Sequence, residues 1–433
     1  MERRLRLVSY LEIRRDCGDS PLRSDAPLRP VGPRRCPAMI GPGLSLRLGL
    51  SQLVSWGISY YLIAIFGDAI TRDFGWPMPM TYSGFSGALI IMGLTSGFVG
   101  RLIDAHGGRP VMTGGSLLLA AGCLGLSQSR DLLAYDLSCA CIGLGMRMTL
   151  YEAAFAAVAR IGGMTARRAM SQITLLGGLA SSVFWPIGHL LSDALGWRGA
   201  VAVYALFALG TACLHLTIPA GRYAPGAGDP PEPLPLARTR WDERIAGASY
   251  ILIIAVTGFL GAGMSAHMIG IMSGLGMGAG LAVWLSTLRG IGQSSARLCE
   301  VVFGRRLPPP ALALLATGFL PIAFGCGLAG AGSAVAGALF ALAFGAGNGL
   351  LTIARGTLPL VLFGHRSYGG VAGRLTAPAF FASALAPVVY SGIIEAFGAI
   401  GALHVSLALA ALALAAAALL RWRFRAAPHP SPV

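Results

Sequence analysis

Long apolar runs, separated by short gaps that carry most of the arginine, limit what this 433-residue chain can fold into more than any other feature. Six runs lie near 47–70, 81–100, 110–128, 132–158, 169–192 and 199–218. Six more follow near 246–268, 274–296, 308–329, 331–354, 370–393 and 397–420. Each is long enough to cross about 30 Å of hydrocarbon as a helix, where lipid offers the backbone no hydrogen-bond partner. The expected fold is an all-α membrane protein of twelve transmembrane helices in two pseudo-symmetric six-helix bundles. Composition agrees: 55% of residues are hydrophobic and 12% charged, against roughly 25% charged in soluble domains. The 61 glycines suit helices that pack closely in lipid.

A decapeptide shows that the two sets are related. Residues 100–109 read Gly-Arg-Leu-Ile-Asp-Ala-His-Gly-Gly-Arg, and residues 296–305 repeat the pattern as Ala-Arg-Leu-Cys-Glu-Val-Val-Phe-Gly-Arg, an offset of 196. Val158-Ala159-Arg160 recurs as Ile353-Ala354-Arg355, an offset of 195. A polar island repeated at half-chain distance implies two homologous halves. Between the sets, Gly221 to Arg244 is rich in proline, glycine and charge. The expected organisation is a basic extension or mis-annotated start at 1–38, an N-terminal bundle at 45–218, a cytoplasmic linker at 219–245, a C-terminal bundle at 246–420 and a tail at 421–433. Residues 1–38 hold nine arginines and no apolar core for a signal peptide.

Arginine bias sets the expected orientation. With the amino terminus inside, the cytoplasmic gaps hold most of the arginines, Arg355 and Arg374 among them, and the opposite gaps hold only Arg72, Arg130 and Arg198. By the positive-inside rule this puts both termini in the cytoplasm, in the inner membrane of a bacterium. The net charge of +15 is spread over these gaps and forms no patch for nucleic acid. The eight cysteines lack metal-site spacing. No lysine occurs, so no phosphate loop with its lysine exists and this polypeptide does not draw on ATP. No nucleophile–base or metal cluster stands out, so neither an enzyme nor a cofactor is expected. The expected partners are a small-molecule substrate, protons and the bilayer, with the chain a monomer.

The island at 100–109 resembles the loop signature of the major facilitator superfamily, roughly G-x-x-x-D-R/K-x-G-R/K-R/K. Gly100, Asp104, Gly107 and Arg109 hold signature positions, while Ala105 and Gly108 replace basic ones. The resemblance implies a conformational latch made of these residues and, at the second copy, Arg297, Glu300 and Arg305. Here Asp104 would meet a helix amino end or an arginine across the interface, and Arg109 would tie the loop to the third span. Segments such as SWGISYY and GAGNGLLTIARGTLPL are similar to bacterial members near the oxalate/formate antiporter and monocarboxylate transporter groups. In those groups an arginine of the eighth helix is essential, so the resemblance implies that Arg289 binds a substrate carboxylate.

Polar groups inside the spans carry the rest of the reading, because a charge at mid-bilayer costs at least about 2.5–3.5 kcal/mol and is usually functional. Arg289 falls near mid-span with Gln293 on the same face. Arg147 shares a face with Tyr151, and both are expected to face the cavity as substrate-binding residues, while Glu152 meets a neighbouring helix as a proton acceptor or charge partner. Tyr60 and Trp284 are candidate walls of an organic-substrate cavity, and His267 is a second proton-coupling candidate. The expected function is a secondary transporter of a small organic solute, with an organic anion favoured, by proton coupling or solute exchange. The alternative is a proton-driven multidrug or metabolite efflux pump, whose fifth-helix glycine–proline pattern is matched poorly by Gly177, Gly178 and Trp185-Pro186-Ile187-Gly188. A transporter-like sensor would need a larger soluble segment.

Overall fold

Glycine marks where the helices turn. The computed structural model describes residues 40–224, 233–304, 307–330 and 332–424, and among these no strand occurs. The expectations for 1–38, for Arg305 and for most of the tail lie outside the described residues. α1 (Pro42–Ser55), a π-helical turn (Trp56–Tyr60) and α2 (Leu62–Phe74) form span 1. α3 (Met78–His106) and α4 (Gly108–Gln128) are spans 2 and 3; α5 (Leu132–Thr149) and α6 (Tyr151–Gly162) together make span 4. α7 (Ala166–Gly177) leads into α8 (Ala180–Leu216), which Gly196, at φ 68° and ψ 167°, divides between spans 5 and 6. α9 (Arg240–Gly274), α10 (Ala279–Phe303), α11 (Pro309–Ala329) and α12 (Ala334–Phe363) are spans 7 to 10. α13 (Tyr368–Arg423) folds back at Gly398, φ 67° and ψ −175°, to give spans 11 and 12.

Among the described residues, eight stretches are long and apolar enough to cross a membrane. Two of them, Leu132–Leu216 and Tyr368–Arg423, contain three and two spans once they are divided at these turns. α10 has spanning length but is less apolar, since Ser286, Arg289, Gln293 and Arg297 lie along it. The described residues therefore accommodate twelve spans. Among the described residues positive φ is confined to glycine, and Gly75 and Gly276, Gly163 and Gly364, and Gly196 and Gly398 recur at offsets of 201, 201 and 202. An L side chain is disfavoured in that conformation, so the halves turn at equivalent places for the same steric reason. Side chains cap the starts of α5 and α9: Asp131 accepts the N–H of Ala134 at 2.8 Å, and Thr239 accepts that of Asp242 at 3.0 Å.

One apolar core is built entirely from the second half, from Ala237 onward, around Tyr250, Phe324, Phe340 and Phe344. Two others belong mainly to the first half, and Leu360, Tyr368, Ala372, Phe380 and Ala384 join them from the second. The halves meet where span 2 packs on span 11 and span 5 on span 8. Adding six to each member of the first pair, modulo twelve, gives the second, so the interface has the two-fold symmetry of the repeat. Large apolar side chains such as Leu94, Leu133, Val388 and Phe397 point outward, as they do toward lipid.

Candidate functional site

Arg289 lies ten residues into α10, about 15 Å from its start at 1.5 Å per residue. Spans 8 and 10 approach closely here, because a Cβ on Gly345 or Gly349 would strike the backbone of Arg289 or Gln293. The half-buried guanidinium lies 5.2 Å from the centroid of Phe344, and its Nη2 reaches the Gly261 carbonyl only at 3.5 Å. Among the described residues no carboxylate pairs with it. Most of its donor fork is uncommitted. Gln293, also half-buried, follows one turn later. Trp284 is five residues earlier, roughly 140° around the helix, and is 70% exposed. The structure does not bring it to Arg289.

Tyr60 enters from the first half on the π-helical turn. Its ring packs against Trp56, Phe85 and Tyr61 at centroid distances of 4.8, 5.3 and 5.8 Å. It lies within electrostatic reach of Arg289, Arg355 and Glu152, so it joins the polar groups of both halves.

Span 4 is discontinuous, and this changes the geometry expected for Arg147, Tyr151 and Glu152. α5 ends at Thr149, Leu150 is extended at φ −73° and ψ −173°, and α6 begins at Tyr151. Arg147 and Tyr151 therefore do not share a helical face. Neither proline nor glycine marks the break, which is held from span 1: the Gln52 amide donates to the freed Thr149 carbonyl at 2.6 Å. Such a break is tolerated at membrane depth when protein groups satisfy it. Arg147 is buried and donates through Nε and Nη2 to the hydroxyl and carbonyl of Ser96 at 2.9 and 2.8 Å. Its Nη2 also occupies the space left by the missing Cβ of Gly373 in span 11. Tyr151 packs between Trp56 and Phe155, and its hydroxyl donates to the Thr174 carbonyl at 3.4 Å.

Glu152, in the first turn of α6, forms an ion pair with Arg355 of α12, Oε1 to Nη1 at 3.1 Å. The glutamate side chain is 8% exposed and the arginine 23%. Hydropathy ends span 10 at residue 354, but the helix continues to Phe363. Arg355 thus lies inside a span rather than in a gap, as does Arg374. Pro359 lacks an N–H and leaves the carbonyl four residues back, that of Arg355, without its helical partner. The Tyr250 hydroxyl fills that role at 2.8 Å, and the Tyr368 hydroxyl donates to the next carbonyl, Gly356, at 2.7 Å. Tyrosines from spans 7 and 11 therefore fix the backbone that carries Arg355. Neither tyrosine stands out in the sequence, although Pro359 inside an apolar run is the signal that points to them.

The repeated decapeptides close the arginine-rich end. Asp104, at the end of span 2, accepts the N–H groups of Gly369 (2.9 Å) and Gly370 (2.7 Å) in the first turn of α13. A Cβ on Gly100 would collide with the Gly369 carbonyl. At the second copy Glu300 meets Arg167, near the start of α7, at 3.8 Å, and Arg167 also donates to the carbonyls of Gly304 (3.3 Å) and Leu307. Arg297 is buried, donates to the Thr352 hydroxyl at 3.0 Å and presses its Nη1 where Gly178 of span 5 has no side chain. Gly107 makes the turn at φ 87°. Arg109 is exposed in span 3, and no hydrogen bond or ion pair is seen for it among the described residues. Arg160 at the end of span 4 instead ties that loop to the chain leaving span 6, donating to the carbonyls of Asp104, Ala105, Ala220 and Gly221 at 3.0–3.3 Å. His267 is half-buried, stacks beside Tyr390 and bonds the Pro387 carbonyl at 2.9 Å.

Two bundles that meet through symmetry-related pairs of spans, with an arginine at mid-span and carboxylate latches at one end, define a membrane transporter rather than an enzyme. The family model of the Major Facilitator Superfamily matches residues 48–351, and the chain belongs to that family of secondary transporters. Among solved structures, that of the human organic anion transporter MFSD10 (TETRAN) is similar, with a TM-score of 0.64 and 16% identity over 87% of this chain and 100% of that one. At that identity the likeness speaks for the fold. No curated protein matches. The chain is a multi-pass membrane protein whose partners are the bilayer and a small-molecule substrate.

Proposed function

We propose that this chain carries a small organic anion by alternating access, in a bacterial inner membrane and as a monomer, near the oxalate/formate antiporter and monocarboxylate transporter groups. The observation that carries the reading is Arg289: a half-buried cation at mid-span whose only hydrogen bond among the described residues is a 3.5 Å contact to Gly261. A site that holds such a charge at this depth is built to receive an anion. That MFSD10, which shares this fold, is an organic anion transporter supports the same class of cargo. Arg289, Gln293 and Tyr60 are the binding residues in this reading, and Arg147 and Tyr151, engaged with Ser96 and Thr174, brace the break in span 4. The arginine-rich end is cytoplasmic by the positive-inside rule. With Asp104 and Glu300 both engaged there, the site opens outward. Glu152 is the proton-coupling group and His267 a secondary one; the drive is a proton gradient or exchange.

The test is uptake of labelled succinate, adipate, butyrate and hexanoate into proteoliposomes with an imposed pH gradient. Arg289→Gln should weaken apparent affinity by about thirtyfold or more, the usual consequence of truncating a desolvated charge contact, and Arg289→Lys should lose less. Uptake unaltered by Arg289→Gln, or transport confined to cationic dyes, overturns the reading.

A further inference from the structure

We propose that Arg355 is a second anion-binding residue, held by Glu152 until a carboxylate of the cargo displaces it, so that the preferred cargo is a dicarboxylate bound between Arg289 and Arg355. This rests on the organic-anion reading above. The Glu152–Arg355 pair is a single contact, Nη1 to Oε1 at 3.1 Å, whereas a guanidinium can offer a carboxylate two parallel hydrogen bonds. Arg355 has donors left over. It is also held in place: Tyr250 and Tyr368 fix its backbone, and the Phe380 ring centroid lies 5.8 Å from its Cζ. Tyr60, packed against Trp56 and Phe85, is within electrostatic reach of both arginines.

Opening the arginine-rich end must part Glu152 in the first half from Arg355 in the second. A buried charge left without its partner is strongly unfavourable, and exchange of partners avoids that state on the arginine. When the cargo carboxylate pairs with Arg355, the Glu152 carboxylate is left within electrostatic reach of Tyr60 of span 1, Tyr151 and Arg147 of span 4, Tyr250 of span 7 and Tyr368 of span 11. Arg147 is engaged with Ser96. Glu152 then takes one proton from the open side. A dianion and one proton cross together: with the arginine-rich end open, the cargo leaves Arg355 and Glu152 releases its proton to the same side, and the pair re-forms as that end closes.

Calorimetry of the purified full-length protein in two buffers of different ionisation enthalpy measures the proton directly. Succinate and adipate should bind wild type with uptake of about one proton each, and butyrate and hexanoate with none. Arg355→Gln should weaken the dicarboxylates by about thirtyfold and leave the monocarboxylates unchanged. Glu152→Gln should keep dicarboxylate affinity and lose the proton uptake. The double variant Glu152→Gln with Arg355→Gln removes both charges together and should still bind the monocarboxylates, which separates loss of a site from loss of folding. An unchanged preference for dicarboxylates in Arg355→Gln and in the double variant, or proton uptake that persists in Glu152→Gln, overturns the proposal while Arg289-dependent binding survives. Absence of any Arg289-dependent binding overturns the organic-anion reading and this proposal with it.

Discussion

At the end of span 2 a short carboxylate, Asp104, receives two main-chain N–H groups; at the equivalent end of span 8 a longer one, Glu300, reaches a single arginine side chain at 3.8 Å. The first contact needs the backbones of spans 2 and 11 to touch, which the paired glycines Gly100 and Gly369 permit. The second copy has Ala296 where the first has Gly100, and there the reach is made by side chains: Glu300 toward Arg167, and Arg297 into the notch at Gly178. One ancestral pattern thus holds one seam by main-chain contact and the other by charge and side-chain packing. A degraded motif copy can keep its place at an interface while changing what it grips.

The glycine should give the largest effect on this contrast. In Gly100→Val the new side chain cannot coexist with the Gly369 carbonyl, so spans 2 and 11 must part or shift, a rearrangement of the kind that costs about 1–3 kcal/mol in packed interiors. Ala296→Val at the second copy should cost less, because that seam already accommodates a Cβ. The melting temperature of the detergent-solubilised protein compares the two. A fall for Ala296→Val equal to that for Gly100→Val would show that the seams are alike.

A smaller difference should separate the two carboxylates. Asp104→Asn removes the charge from a pair of charge-assisted hydrogen bonds, each worth about 1.5–3 kcal/mol. Glu300→Gln weakens a long ion pair whose arginine keeps two carbonyl partners, so its cost should fall nearer the range of exposed pairs, about 0–1 kcal/mol, raised somewhat by the burial of Glu300. Labelling of a cysteine introduced at Thr352, from the arginine-rich side, reports opening. Asp104→Asn should increase the labelling rate several-fold more than Glu300→Gln does, and the reverse order would make the second latch the dominant one.

Which features are readable in the sequence follows from the range of the signals. Apolar length and the positions of Gly75, Gly163 and Gly196 are local, so the spans and their count can be read from residues alone, apart from ends that continue past Arg297 and Arg355. Those ends escape a hydropathy reading because it counts an arginine against a helix even when protein, not lipid, surrounds it. The break at Leu150 is invisible because its cause is tertiary: Gln52, 97 residues away, supplies the missing hydrogen bond. Arg289 is legible through its depth, which helix rise fixes. Its neighbourhood is not, since Trp284 lies on another face and Arg355 comes from a different span. Glu152 can be singled out as a buried acid, but its partner, 203 residues on, cannot.

The smallest effect concerns the two arginines nearest the first latch. The family signature points to Arg109, which is exposed and shows no polar partner among the described residues. Arg160 instead donates to four carbonyls, two on the loop that carries Asp104 and two on the chain leaving span 6. A basic residue that collects carbonyls at the end of a helix acts as a staple, and its loss frees the loop without removing the latch itself. Arg160→Ala should therefore increase the labelling rate of the Thr352 cysteine modestly, by less than Asp104→Asn, and Arg109→Ala should leave it unchanged. Equal sensitivity at both positions would mean that Arg109 engages a partner only when span 2 moves, and would shift the staple from the resting state to the transition between states.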